Sequence, residues 1–343
     1  MSTSGKHTRR EIFSQPEVWA DTLARLQAQS ATLRAFYADG NYDALVFTGC
    51  GSTYYLALAA AALAKPALGV STVGVPGSEA WLYPEGVYHR ARRTLLVAVS
   101  RSGETTETIR AGEAFLAAER GDFVTLTCYP QSTLAKMGTL NLHFPEAQEQ
   151  SVAQTRAFST LYVAAVAVIA AWAGREDVLA AMQRLPQAAA RLLERYAELP
   201  ARLVRSDALD RFYFLGSGPR YGLACELSLK MKEMSLSHSE PFHFLEFRHG
   251  PMSMVTPSTL IVGLLSEANR AAEQAVLEEM RERGAQVLTL AENDADVALQ
   301  SGVEEFARNA LYLPIGQLVA FERALYNALD PDHPHNLNAV VTL

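Results

Sequence analysis

The chain has 343 residues, 49% hydrophobic and 20% charged, an ordinary globular mixture with room for about two domains of roughly 150 residues each. That mixture excludes disordered, collagen-like and disulfide-scaffold proteins. With 30 Lys and Arg against 37 Asp and Glu, the net charge is −7 and no basic block stands out, which removes the footprint of a nucleic-acid binder and points to a small-molecule partner.

Met1 to Arg10 is polar and lacks the apolar core of a signal peptide, and Cys50, Cys128 and Cys225 have no paired spacing, so a cytoplasmic chain with reduced thiols is expected. Residues 1–35 read as a helical leader. Residues 44–47 form a β-type apolar run that enters Gly49-Cys50-Gly51-Ser52-Thr53 and leaves as an Ala- and Leu-rich helix. A second strand, 94–99, is followed by Ser100-Arg101-Ser102-Gly103-Glu104-Thr105, a helix through Glu119 and a strand at 123–127. The apolar run 161–173 falls short of the roughly 20 residues needed to span a bilayer and predicts a buried helix, so no membrane is implied. Residues 178–199 predict a helical segment interrupted by Pro186, and the domain boundary is placed near Pro200. Beyond it come a strand at 212–215, a Gly216-x-Gly218 turn and a helix, then strands at 260–265 and 286–290 around a helix ending near Arg283.

The two halves are copies. Phe47, Gly49, Gly51, Tyr54, Leu56 and Ala57 match Phe214, Gly216, Gly218, Tyr221, Leu223 and Ala224, all at one offset of 167 residues. Uniformly apolar strands alternating with helices predict an α/β fold with two parallel-sheet domains, 36–190 and 200–343.

In open parallel sheets ligands bind beyond the carboxyl ends of the strands. Both loops of the first copy bring hydroxyls and backbone N–H groups to a helix N-terminus, where a phosphate is favoured. The structural alternative is that these Ser and Thr side chains are helix caps. A dinucleotide fingerprint fails because Tyr54 stands where the third glycine belongs, and no Gly-Lys-Ser/Thr makes a P-loop. The equivalent second-copy loop, Ser266-Glu267-Ala268-Asn269-Arg270, has lost the pattern and gained an acid.

In exchange, the second copy offers Glu226, Lys230 and Glu233, stacked on one helix face beside an apolar stripe. A solvated salt-bridge face is the competing reading. Three histidines, His238, His243 and His249, follow with Glu240, Glu246 and Arg248, interleaved with Phe242, Phe244 and Phe247, which predicts an aromatic-lined pocket for proton transfer. No metal-ligand spacing is present.

At these residues the chain resembles the double-SIS (sugar isomerase) family, in particular the isomerase half of glucosamine-6-phosphate synthase and the shorter phosphosugar isomerases and deaminases. The resemblance runs from Glu11-Ile12 to Asn336-Leu337 and is carried by the Ser100 to Thr105 loop, Val152-Ala-Gln-Thr155-Arg156-Ala157-Phe158, the Glu226 to Glu233 helix and Glu246-Phe-Arg-His249-Gly250-Pro251. It implies two tandem three-layer α-β-α domains, with Thr53, Ser100, Ser102 and Thr105 holding a phosphate and Ser52 assisting. It also implies that Glu233 shuttles a proton between carbons 1 and 2, that His249 opens the sugar ring from across a homodimer interface, that Lys230 and Glu226 complete the polar wall, and that Val152 touches the sugar. No cofactor or metal is implied.

Three positions depart from the resemblance. Arg101 stands where the synthase has Gln, Leu337 is followed by Asn338 and Ala339 where a lysine belongs, and His335 stands where the synthase has arginine. Too few residues precede the first domain for a glutaminase. The expectation is a deaminase or isomerase acting on an amino-sugar phosphate such as glucosamine-6-phosphate, with Asn338 near the reactive end of the sugar. A deglycase, a plain phosphosugar isomerase and a non-catalytic sugar-phosphate sensor are the alternatives.

Overall fold

The computed structural model describes residues 4–89 and 92–341. Each copy forms a parallel five-stranded sheet flanked by helices, the α/β architecture that the alternation predicts. In the first copy β1 (Ala44–Gly49), β2 (Ser71–Pro76), β3 (Thr94–Ser100), β4 (Gly121–Thr127) and β5 (Leu140–His143) lie in the order β2-β1-β3-β4-β5. In the second, β6 (Arg211–Gly216), β7 (His238–Phe242), β8 (Thr259–Leu264), β9 (Gln286–Ala291) and β10 (Val297–Ala298) repeat that order strand for strand.

The duplication extends beyond the glycine turn. The starts of β1 and β6, of the helices Ser52–Leu68 and Pro219–Ser235, and of β2 and β7 are all 167 residues apart. By β4 and β9 the step has shortened to 165, so the copies diverge after their first β-α-β unit. Helices on both faces of a sheet demand apolar side chains in both directions, and every residue of β3 and of β8 is buried. The edge strands β2 and β7 read Ser-Thr-Val-Gly-Val-Pro and His-Ser-Glu-Pro-Phe, too polar to be recognised as strands from sequence. Their prolines are tolerated because an edge leaves N–H groups unused.

Three helices, Lys6–Phe13, Gln15–Ala28 and Ser30–Gly40, occupy the leader and run past its expected end at residue 35. The apolar run is the buried helix Arg156–Trp172, and no helix among the described residues is long and apolar enough to cross a membrane. The chain divides into two compact units. Residues 17–149, 156–183 and those from Asn338 onward form the first, and residues up to Pro16, 150–155 and 184–337 form the second. Carboxylates tie the detached segments into the second unit. Buried Glu11 accepts from the Gln150 N–H at 2.6 Å, and Asp332 accepts from the Thr8 N–H and hydroxyl, both at 2.7 Å.

The loop after β8 shows what occupies the corresponding turn of the second copy. Ser266 Oγ accepts from the Asn269 N–H at 3.0 Å, the same turn that Ser100 Oγ makes with the Gly103 N–H at 3.0 Å in the first copy. Here, however, the Ser266 N–H and hydroxyl donate to Glu273, at 2.6 and 3.0 Å, and Glu273 is 98% buried on the following helix, Arg270–Glu282. A carboxylate of the chain itself occupies the donors. Glu273→Ala should therefore cost about 1–3 kcal/mol, because it strands a buried amide. Urea unfolding of both forms measures this, and an unchanged midpoint would show that the amide finds another partner.

Candidate active site

In the first unit the hydroxyls of both loops first build the loops themselves. Thr53 Oγ1 accepts from the Cys50 N–H at 2.9 Å and donates to the Cys50 carbonyl at 3.0 Å, which closes the turn into the helix Ser52–Leu68. Gly51 adopts φ 56°, a left-handed conformation that favours glycine. In the second loop Ser100 Oγ accepts from the Gly103 N–H, Ser102 Oγ accepts from the Glu104 N–H at 3.2 Å, and Ser100 and Thr105 hydroxyl oxygens lie 3.4 Å apart. Gly103 also has φ 69°, and a Cβ there would lie 2.0 Å from Ser132 Oγ, so no other residue fits. Ser100 and Ser102 each accept a loop amide and retain the capacity to donate, and Thr105 caps the helix Thr106–Ala117 with no side-chain bond to its amides. Thr53 is not a helix cap: Gly51 holds the N-cap position with no side-chain cap bond, and the Thr53 hydroxyl closes the preceding turn on Cys50. At the second loop, capping and anion binding are compatible, because the same turn presents helix-terminal N–H groups.

Arg101 and Asn338 belong to this unit as well. The Arg101 guanidinium donates to the Ala339 carbonyl at 3.1 Å and lies 3.6 Å from Glu149, both side chains being buried. Asn338 is exposed in the adjoining tail. Nothing in the polar Gln148-Glu149-Gln150 run marks Glu149 as the partner of a buried arginine.

The second unit holds Glu226, Lys230, Glu233, Val152 and His249. Lys230 is fully buried on the helix Pro219–Ser235, its Nζ 3.3 Å from Glu226 Oε1 and hydrogen-bonded to Glu233 Oε2. Glu226 is fully buried and Glu233 reaches partway to solvent, with 18% of its side chain exposed. The stripe is thus an ion-pair triad, and it is buried where a solvated face was the alternative. Burial alone would lower the Lys230 pKa, but the two carboxylates outweigh it and hold the ammonium above its ordinary value. Val152, half-buried, donates its N–H to the Asp332 carbonyl at 3.1 Å.

The His238 to Pro251 segment corrects one expectation. Phe244 and Phe247 are fully buried in a core cluster with Tyr213, Ile261 and Leu277, and Phe242 packs against it. The aromatic rings hold the segment to the domain rather than lining a pocket, and the titratable groups His243, Glu246 and His249 face outward. His243 stacks on Tyr221 with centroids 3.9 Å apart, and burial pushes its pKa down against the opposing charge of Glu246. Tyr221 was noticed in sequence only as a repeat marker. A surface cavity of about 720 Å³ in this unit is lined by Arg211, Tyr213, Lys232, His238, Glu240 and Met254 at the amino ends of β6 and β7; of the groups singled out in the sequence His238 and Glu240 reach it, whereas Glu226, Lys230, Glu233 and His249 do not. Among the described residues no group of His, Cys, Asp or Glu side chains is gathered to hold a metal ion.

The SIS domain model matches residues 41–171 and 207–324. The chain belongs to the SIS domain family. Among curated relatives, a glutamine–fructose-6-phosphate aminotransferase (isomerizing) of Pyrobaculum aerophilum is 32% identical over the whole of this SIS chain and 59% of its own length. A protein of the same description from Methanothermobacter thermautotrophicus is 26% identical over 97% of this chain and 57% of its own. The chain spans about three fifths of these relatives' length. Among solved structures, glucosamine-6-phosphate deaminase of Thermotoga maritima superposes with a TM-score of 0.80 at 25% identity, covering 96% of this chain and 100% of that one. Tagatose-6-phosphate ketose/aldose isomerase of Escherichia coli superposes with a TM-score of 0.85 at 21% identity, over 98% and 99% of the two chains. At that identity the likeness concerns the SIS fold.

Lys230 is a buried cation that two carboxylates depend on. Its raised pKa means that its contribution to stability is complete below 10.5 and is lost as pH rises through the folded value. Lys230→Met should destabilise the protein by about 3–5 kcal/mol at neutral pH, because two acids lose their cation. Denaturant titrations across pH test this: the gap between wild type and variant should stay constant up to pH 10.5 and narrow only above it, and narrowing near pH 8 would contradict the assignment.

Proposed function

We propose that this protein isomerises and deaminates an amino-sugar phosphate such as glucosamine-6-phosphate, giving the ketose phosphate and ammonia. The observation that carries the reading is the triad: Glu233 is a partly exposed carboxylate held by a buried lysine, and Glu226 balances that lysine from the other side. One carboxylate that takes and returns a proton is what aldose–ketose interconversion requires. On the open-chain sugar, Glu233 removes the proton from carbon 2 and the enolamine forms. It then delivers the proton to carbon 1, leaving an imine at carbon 2 that water hydrolyses to the ketone and ammonia. Lys230 fixes the direction of the Glu233 carboxylate through both half-reactions.

The phosphate does not react, so its anchor needs rigid neutral donors rather than titratable groups. Ser100, Ser102, Thr105 and the amides starting the helix Thr106–Ala117 supply them, with Ser52 and Thr53 shaping the neighbouring turn. His249 is exposed, which suits ring opening on a substrate held by a second copy in a homodimer. The deaminase fold of Thermotoga maritima and the aminotransferase relatives support an amino sugar. The absence of a lysine at Ala339 separates the proposed reaction from transfer of nitrogen to a ketose.

Incubating the protein with glucosamine-6-phosphate should release ammonia and ketose phosphate in equal amounts. Ketose without ammonia would select the plain isomerase, a free amino acid from a conjugate would select the deglycase, and turnover of none of these would leave the sensor. Glu233→Gln should lower kcat by about 10²–10⁴ with substrate binding retained. Near-normal turnover would remove Glu233 from the base role.

A further inference from the structure

Two departures from the family resemblance, Arg101 and the lysine-less tail at Ala339, meet in the structure. The buried Arg101 guanidinium donates to the Ala339 carbonyl at 3.1 Å while Glu149, 3.6 Å away, balances its charge. Two residues further along the tail, the Val341 carbonyl accepts from the N–H of Thr106, the first residue of the helix Thr106–Ala117, at 3.5 Å. We propose that Arg101 is a positioning residue and not a phosphate ligand: it straps residues 338–341 against the phosphate loop, where the tail competes with an oxyanion for the helix-terminal amides.

The chemistry suits a strap. A planar guanidinium serves a carboxylate and a carbonyl from different N–H groups at once, which a lysine ammonium at the same place does with less reach and no fixed fork. Its contact on the tail is a main-chain carbonyl, so position 339 needs no particular side chain and alanine suffices. The Val341 carbonyl carries only a partial negative charge, whereas a phosphate brings full charge to a helix N-terminus. A strap bound this way is displaced by the anion and does not block it permanently. The proposal rests on the phosphate-loop reading above and deepens it.

Amide hydrogen–deuterium exchange of the tail and calorimetric titration with inorganic phosphate test it together. Arg101→Lys keeps a charge beside Glu149 but loses the fork, and should speed tail exchange about tenfold, the worth of one charge-assisted hydrogen bond, while phosphate binds at least as tightly as in wild type. Phosphate binding weakened about tenfold with the tail still protected would make Arg101 a ligand and overturn the proposal. In the unaltered protein, saturating phosphate should accelerate tail exchange, and slowed exchange would overturn the competition without reliance on any variant. If wild type binds no phosphate at all, the phosphate-loop reading fails, and tail exchange in Arg101→Lys still decides whether Arg101 is the strap.

Discussion

A lysine ammonium buried between two carboxylates is the constraint around which the second unit is organised. An unpaired charge at the depth of Lys230 is prohibitive, so Glu226 and Glu233 are both required, four residues before it and three after, on one helix face. That requirement dictates the rest of the helix. The adjoining stripe must be apolar, and Leu223, Leu227, Met231 and Met234 are buried there. Of the two carboxylates the triad leaves only Glu233 partly open, which is why the proposed reaction is assigned to it.

The duplicated fold shows how one scaffold came to hold two kinds of polar site. Both copies keep a serine at or just beyond the carboxyl end of their third strand whose Oγ accepts an amide three residues on, Ser100 with Gly103 and Ser266 with Asn269. In the second copy the donors are satisfied internally by Glu273. The position matching Thr53 is Arg220, whose buried guanidinium pairs with Glu305, also within hydrogen-bonding reach of the Glu267 N–H at 3.3 Å. An anion site filled by the chain's own acids turns a binding loop into a structural one, and the fold keeps its helix without needing a ligand.

Legibility in the sequence followed burial and locality. Strands buried on both faces, such as β3 and β8, were readable because their interiors, 95–99 and 260–264, carry no polar side chain, and the 167-residue offset was readable because the glycine turn tolerates little else. Edge strands were not: His238–Phe242 carries a histidine, a glutamate and a proline, and only its pairing with β6 makes it a strand. The Glu226, Lys230 and Glu233 face was visible from spacing, but its burial was not, since the same pattern suits a solvated helix. The aromatics between His238 and Pro251 were seen and assigned the wrong task, because composition cannot say which way Phe244 and Phe247 point. Arg101 and Glu149 lie 48 positions apart in the chain, so their pairing exists only after folding.

The proposed division of labour between the copies has an electrostatic logic. A phosphate carries nearly two negative charges, and each costs a carboxylate about 1 kcal/mol of repulsion at 4 Å in bulk water and about 4 kcal/mol near a protein surface. On the proposed reading, a phosphate bound within the copy that carries Glu226 and Glu233 would oppose the ionised base that proton abstraction needs. Glu273 forestalls this by occupying the Ser266 donors, so the copy with the acids offers no vacancy there to a substrate anion. The first copy is complementary: its loop side chains are hydroxyls, Gly103 allows close approach, and its one cation, Arg101, is balanced by Glu149. Anchoring a group whose charge does not change and moving a proton call for opposite environments, and in the proposed reading duplication supplies a loop of the first copy for one and a helix face of the second for the other.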